Sequence, residues 1–236
     1  MHTQSGRDST CESCKLKENG LLCHLSPLAG REFESIKSSR CYPAGATMFL
    51  ENEPATGIFL LCSGKVKLSV SSRGGKTLIL QLASPGEILG LSASMSGIPY
   101  EVTAEALHPS KVAFIRREDF LRFTTRFPEV FPAVTRQLNM QYARACEQLR
   151  TVGLSTSVNE KVARLFLNWS SRETPTAEAA QIKMALTHEQ IAECIGSTRE
   201  TITRTLSEFK NKHLLTLKGT LVTIPSRSAL QAVCGE

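Results

Sequence analysis

Residues 186–206 read LTHEQIAECIGSTRETITRTL, and the spacing inside this stretch decides the fold of the C-terminal part of the chain. With His188 as position one, Ala192 falls at five, Gly196 at nine and Ile202 at fifteen. A small residue at five lets a second helix cross the first. A glycine at nine supplies the positive φ of a tight turn. An apolar residue at fifteen points back and locks the pair. Thr187 with Gln190 forms a capping box that opens the first helix, and Leu186 precedes it as an apolar anchor. Ser197 or Thr198 is placed to cap the second helix, whose first turns then present Arg199, Glu200, Thr203 and Arg204. An ordinary αα-hairpin needs no such combination, so the spacing predicts a helix-turn-helix with a charged second helix. Arg offers guanine a bidentate pair of donors and Glu accepts from cytosine, which makes the second helix a candidate reader of base edges.

The sequence on the C-terminal side extends this reading. Leu214–Leu217 and Thr220–Ile224 flank Lys218-Gly219 and predict two short strands around a tight turn, the wing of a winged helix-turn-helix. From Arg199 to Lys218 five basic residues (Arg199, Arg204, Lys210, Lys212, Lys218) stand against two acidic ones (Glu200, Glu208), a balance suited to phosphates. The whole chain agrees: 236 residues give room for two domains, and the net charge of +6 suits a polyanionic partner. No apolar run approaches the ~20 residues that span a bilayer. The opening MHTQSGRDST has no secretory apolar region, so a cytoplasmic protein with no membrane partner is expected. Eight cysteines in that setting point to metal or redox chemistry rather than to disulfides. The sequence contains no G-x-G-x-x-G, P-loop, H-E-x-x-H or G-x-S-x-G, and its five histidines do not cluster. No enzymatic site is therefore expected.

Upstream, the pattern divides into stretches. Residues 1–27 form a polar, cysteine-bearing leader. Residues 28–127 hold β-rich runs (46–50, 57–62, 65–70, 77–82, 100–107 and 111–115) broken by Glu53-Pro54, Ser63-Gly64, Gly74-Gly75, Pro85-Gly86 and Pro109-Ser110, which predicts a small barrel or roll. Residues 128–155 carry a helical seam of Phe131, Val134, Leu138, Tyr142, Ala145, Leu149 and Val152 at steps of three and four, as two paired helices require. Residues 156–236 begin with a second capping box, Ser157 with Glu160, and a helix whose Val158, Val162, Leu165, Phe166 and Trp169 share one face. Residues 171–181 read as a loop. The fold class is therefore α+β: a β-roll, a long helix and a winged helix-turn-helix, in that order.

This order, with Gly57-Ile58-Phe59 leading to Ser63-Gly64-Lys65-Val66-Lys67, with Pro85-Gly86-Glu87-Ile88-Leu89-Gly90, and with Ser197–Arg204, resembles the cyclic-AMP receptor protein / FNR (Crp/Fnr) family of transcription regulators over nearly the whole chain. The resemblance implies a cyclic-nucleotide-binding-like sensor roll and a homodimer joined along the long helix. It also implies recognition helices reading the two halves of a DNA palindrome about one helical turn apart, and RNA polymerase as a further partner. Arg199, Glu200 and Arg204 match the base-reading positions of the cyclic-AMP receptor more closely than those of FNR, which implies TGTGA-like half-sites. Thr198, Thr203 and Lys218 complete the expected DNA-binding set. The Arg-Ser pair that holds the cyclic-nucleotide phosphate is replaced by Tyr100-Glu101, and the ribose Glu by Leu91, so cyclic AMP is not the expected signal; a regulator answering to another small ligand or cyclic nucleotide, with a vestigial cysteine leader, is the alternative.

The leader suggests another one. Cys11-x2-Cys14-x8-Cys23, followed by His24, resembles the cysteine cluster of FNR-type oxygen sensors and implies an iron–sulfur cluster, with zinc or an empty site as alternatives. The second spacing is longer than the FNR pattern, and the distant fourth ligand position is Ala113. Cys62, Cys41 and His24 remain as candidates for the fourth ligand. Cys146 and Cys194 read as small hydrophobes.

Overall fold

The computed structural model describes residues 25–173, 178–183 and 186–235. It contains eight α-helices, a single 3-10 turn at Pro128–Val130, and eleven strands among these residues. The chain separates into two compact units, one of residues up to Val70 with Gln81–Ala143, the other of Ser71–Leu80 with Arg144 onward.

The first unit is built around the apolar run Gly57-Ile-Phe-Leu-Leu-Cys. It forms β3 (Gly57–Ser63), which pairs antiparallel with β8 (Ser110–Arg116). Because strand side chains alternate, an unbroken apolar strand has something to bury on both faces. Ile58 and Leu60 point one way, into a cluster with Ala113, Ile115, Phe33, Phe120, Phe123, Phe127, Val130 and Val134. Phe33 belongs to α1 (Pro27–Ile36), Phe120 and Phe123 to α3 (Arg117–Arg126), and Val134 to the long helix α4 (Phe131–Gly153). Phe59 and Leu61 point the other way, into the roll interior with Phe49, Val66, Leu68, Leu89, Tyr100, Val112 and Phe114. Two four-stranded sheets enclose that interior. One has the order β1-β8-β3-β6, with β1 at Ser38–Tyr42 and β6 at Ile88–Leu89. The other has the order β2-β7-β4-β5, with β2 at Thr47–Phe49, β7 at Thr103–Ala106, β4 at Val66–Ser71 and β5 at Thr77–Ala83. The short helix α2 (Leu91–Ser96) follows Gly90, whose φ of +68° and approach to Tyr100 (2.6 Å from an added Cβ to the ring) leave no room for a side chain.

In the second unit α4 runs on to Gly153, and α5 (Val158–Glu173) carries Val162, Leu165 and Phe166 into a core. The capping box expected at Ser157 forms in part. Ser157 Oγ accepts from Glu160 N, while the Glu160 carboxylate reaches past it to Thr156 N at 2.7 Å. That bond holds the Glu160 carboxyl below its ordinary range. The helix extends to Glu173, and β9 (Ala180–Lys183) begins before the end of the stretch read as a loop. β9 then pairs with β11 (Leu221–Ile224), which pairs with β10 (Thr216–Lys218) in a three-stranded sheet. The terminal helix α8 (Arg227–Ala232) is fastened by Glu178, which accepts from Ser226 Oγ, Ser228 Oγ and Ser228 N. Those three bonds lower the Glu178 carboxyl to about 2.

Candidate nucleic-acid interface

The helix-turn-helix forms as its spacing requires. α6 spans His188–Ile195 and opens on the complete capping box: Thr187 Oγ1 accepts from Gln190 N, and Gln190 Oε1 accepts from Thr187 N at 2.9 Å. Ala192 is buried, and its carbonyl accepts from both Gly196 N and Ser197 N. Gly196 sits at φ +68°, the left-handed conformation that ends the helix at little steric cost only for glycine. α7 spans Arg199–Asn211, and of the two capping candidates Thr198 takes the role by accepting from Thr201 N. Ile202, Thr205, Leu206 and Phe209 form its buried face.

The opposite face of α7 is exposed. Arg199, Glu200, Thr203 and Arg204 are all exposed, as is Thr198 at its start. Among the described residues the side chains of Arg199 and Glu200 make no hydrogen bond or ion pair, so their polar groups are available to a partner. Thr203 is different. Its hydroxyl donates to the Arg199 carbonyl at 2.9 Å and lies 2.8 Å from His188 Nδ1 at the start of α6. The side chain thus ties the two helices together at their exposed edge, a pairing across fifteen residues that spacing rules do not show.

A second clasp lies on the inner side. Asn159 of α5 donates to the Glu208 carboxylate at 3.2 Å and accepts from Thr205 Oγ1. Lys212, and then Asn159, lower the Glu208 carboxyl from its ordinary value. Both bonds fix the roll angle of α7 about its axis, which sets where Arg199 and Arg204 point. The wing follows, with Lys218 paired to Leu221 across a two-residue turn in which Gly219 takes φ +59°. Lys218, the residue expected to contact phosphate, is exposed. Cys194 is buried inside α6, and burial, together with the Glu193 carboxylate, pushes its thiol up to about 12. It is a packing residue rather than a redox group.

The other sequence-derived sites fall as follows. Cys11, Cys14, Cys23 and His24 lie outside the described residues. Cys41 is exposed on β1, and Cys62 is half-buried against the outer cluster of the roll. Among the described residues no group of three or more Cys, His, Asp or Glu is arranged to hold a metal. The α4 seam divides. Val134 is 2% exposed in the core of its own roll, and Leu138 packs against that core. Val152 lies beside Gly196, 3.9 Å from where a Cβ would be. Tyr142 and Leu149 are 73% and 71% exposed, with Ala145 and Phe131 exposed too and Leu154 beyond the helix end at 75%. The expected seam therefore divides between two surfaces: Val134 and Leu138 serve the roll, whereas Phe131, Tyr142, Ala145 and Leu149 are exposed. In the roll, Tyr100 is buried, stacks on Phe49 at 4.0 Å between ring centroids, and donates its hydroxyl proton to Gly57 O at 2.7 Å. The same oxygen accepts from Thr56 N and Gly57 N. Leu91 is buried in the outer cluster, and Glu101 is exposed.

Comparison with known proteins matches this geometry. A model of the cyclic nucleotide-binding domain matches residues 39–127, and a model of the Crp-like helix-turn-helix domain matches residues 160–233. The CRP-like cAMP-activated global transcriptional regulator of Mycobacterium tuberculosis is 26% identical over 80% of this chain and 84% of its own. The transcriptional activator protein FnrA of Stutzerimonas stutzeri is 26% identical over 100% of this chain and 96% of its own. The solved structure of FixK2 from Bradyrhizobium japonicum, at 21% identity, superposes with a TM-score of 0.72 over 84% of this chain and 97% of that one, which shows the shared fold. A sensor roll of this type joined to a Crp-like helix-turn-helix defines a DNA-binding transcription regulator. The chain belongs to the Crp/Fnr family of those regulators.

Proposed function

We propose that the protein is a homodimeric, sequence-specific regulator in the cytoplasm that binds a palindrome with TGTGA-like half-sites and works with RNA polymerase. The observation that carries the reading is the exposed face of α7, where Arg199, Glu200 and Arg204 stand on one side of a helix whose other side is buried. Arg199 and Arg204 then read guanines through their planar donor forks, and Glu200 reads a cytosine on the opposite strand. Lys218 and the wing rest on phosphate, giving affinity without sequence. The second copy packs along α4 from Tyr142 to Leu149. Large apolar side chains exposed in one stripe support an interface there. Selection of bound duplexes from random DNA is expected to return a two-fold symmetric consensus. A consensus without symmetry would overturn both the dimer and the half-site assignment.

The signal we propose is an oxygen-labile iron–sulfur cluster held by Cys11, Cys14 and Cys23, with zinc as the second reading. Thiolates hold the iron of such clusters, which supply the redox sensitivity. Of the described thiols, Cys62 is better suited than Cys41 to be the fourth ligand. Cys62 and Leu25, at the end of the leader, both pack against the cluster that contains Ala113, whereas Cys41 is exposed on an edge strand. Replacing Cys11, Cys14 and Cys23 together by Ser is expected to remove iron and sulfide from anaerobically purified protein and to change its DNA affinity. The winged domain should stay folded by circular dichroism. Equal metal content before and after replacement, or unchanged DNA affinity, would show that the leader is not the sensor. Cyclic AMP fits poorly as a signal: Tyr100 and Glu101 stand where the phosphate-binding pair would be. Glu101 would repel a phosphate, and the Tyr100 hydroxyl is already committed to the Thr56–Gly57 backbone.

A further inference from the structure

The C-terminal end of α4 does more than lead into the DNA-binding domain. Gln148 lies inside the second compact unit together with the hairpin Ser71–Leu80 and the helix-turn-helix. Its side-chain amide donates to two backbone carbonyls from distant parts of the chain: Ile79 O at 3.0 Å and Cys194 O at 2.5 Å. Neither acceptor is arbitrary. Ile79 belongs to β5, the edge strand of its sheet, whose outward carbonyls have no ladder partner. Cys194 is in the last turn of α6, where carbonyls have no partner within the helix. Ala192 O, two residues back, is served by Gly196 N and Ser197 N, which leaves Cys194 O to be met from outside. A primary amide is the smallest neutral side-chain group that donates two hydrogen bonds from one nitrogen. One helical turn further along, Val152 packs beside Gly196, so the same face of α4 touches both the end of α6 and the turn that follows it.

We infer that Gln148 is a positioning residue for DNA binding: it fastens the end of α6 to the hairpin Ser71–Leu80 and so fixes the direction in which α7 presents Arg199 and Arg204. The inference goes beyond the dimer reading above but uses it for its test. Two recognition helices engage a palindrome together only if each is held at a set angle and spacing. A loosened helix-turn-helix would still grip one half-site but would lose the benefit of gripping two.

The test compares full-length wild type with Gln148→Met, which keeps length and removes the donors, and with Gln148→Lys, which keeps donors and changes shape. Each is measured by fluorescence anisotropy on a duplex carrying the selected palindrome and on one carrying a single half-site. Gln148→Met is expected to lower full-site affinity by about tenfold or more and to leave half-site affinity unchanged, while Gln148→Lys recovers most of the loss. Amide exchange at Gly196 and Ser197 is expected to speed up in the Met variant alone. An unchanged ratio of full-site to half-site affinity in the Met variant, or Met and Lys variants that behave alike, would overturn the role of Gln148. If wild type itself shows no preference for the full site, the dimer reading fails instead. The exchange rates at Gly196 and Ser197 then still decide whether Gln148 fastens α6.

Discussion

Leu149→Glu is expected to give a folded monomer whose affinity for the full palindrome falls by roughly two orders of magnitude or more, because linked half-site contacts become separate ones. Leu149 is 71% exposed, so a carboxylate there costs the folded chain little. Across a two-fold axis the same substitution places two like charges in an apolar seam, which is strongly unfavourable. Leu138 would be the wrong probe, although it lies on the same helical repeat. It packs against the roll's own core, and a charge there would damage that core whether or not the protein dimerises. Sedimentation velocity and circular dichroism check the two halves of the expectation. A Leu149→Glu protein that still sediments as a dimer would place the interface elsewhere.

Arg199→Ala is expected to cost about 1–3 kcal/mol on the selected palindrome and to relax the preference at one base pair of each half-site. Arg199 is exposed in the first turn of α7, with Thr198 capping that turn, so its loss leaves the helix intact. The cost then reports lost base reading rather than lost structure. Lys218→Ala supplies the contrast. It should weaken binding to all sequences alike and flatten the dependence of affinity on salt, since a phosphate contact releases counterions but reads no base. Titrations at several salt concentrations on matched and mismatched duplexes separate the two outcomes. An Arg199→Ala protein with wild-type sequence preference would remove that residue from the reading set.

The parts of this molecule that the sequence declared are those governed by local sterics. Ala192, Gly196 and Ile202 each answer to a neighbour within a few residues or to a single φ angle, and the wing turn answers to Gly219. The strands β3 and β8 were visible for the same reason, as apolar runs between glycine and proline breaks. β1 was not visible: Ser38–Tyr42 is mostly polar and exposed, an edge strand held by its ladder to β8 rather than by its own pattern. α3 escaped because Arg117–Arg126 is largely polar and, besides Phe120 and Phe123, buries the polar Asp119 and Thr124, although Glu118 and Asp119 in its first turn were an available signal. The α4 seam shows a different limit. Helical periodicity identifies an apolar stripe, but it does not say whether a stripe meets its own domain or another copy, and here it does not meet the same surface along its length. His188–Thr203 and Gln148–Cys194 were illegible because each depends on where the fold carries a polar atom over a long separation.

Tyr100 has a consequence for how the roll responds to its surroundings. Its ring, stacked on Phe49 and anchored through one oxygen to the Thr56–Gly57 backbone, acts as a guest tethered inside its own host. A molecule that needed the space or the oxygen of Tyr100 would first have to displace this ring and break its three bonds to the backbone.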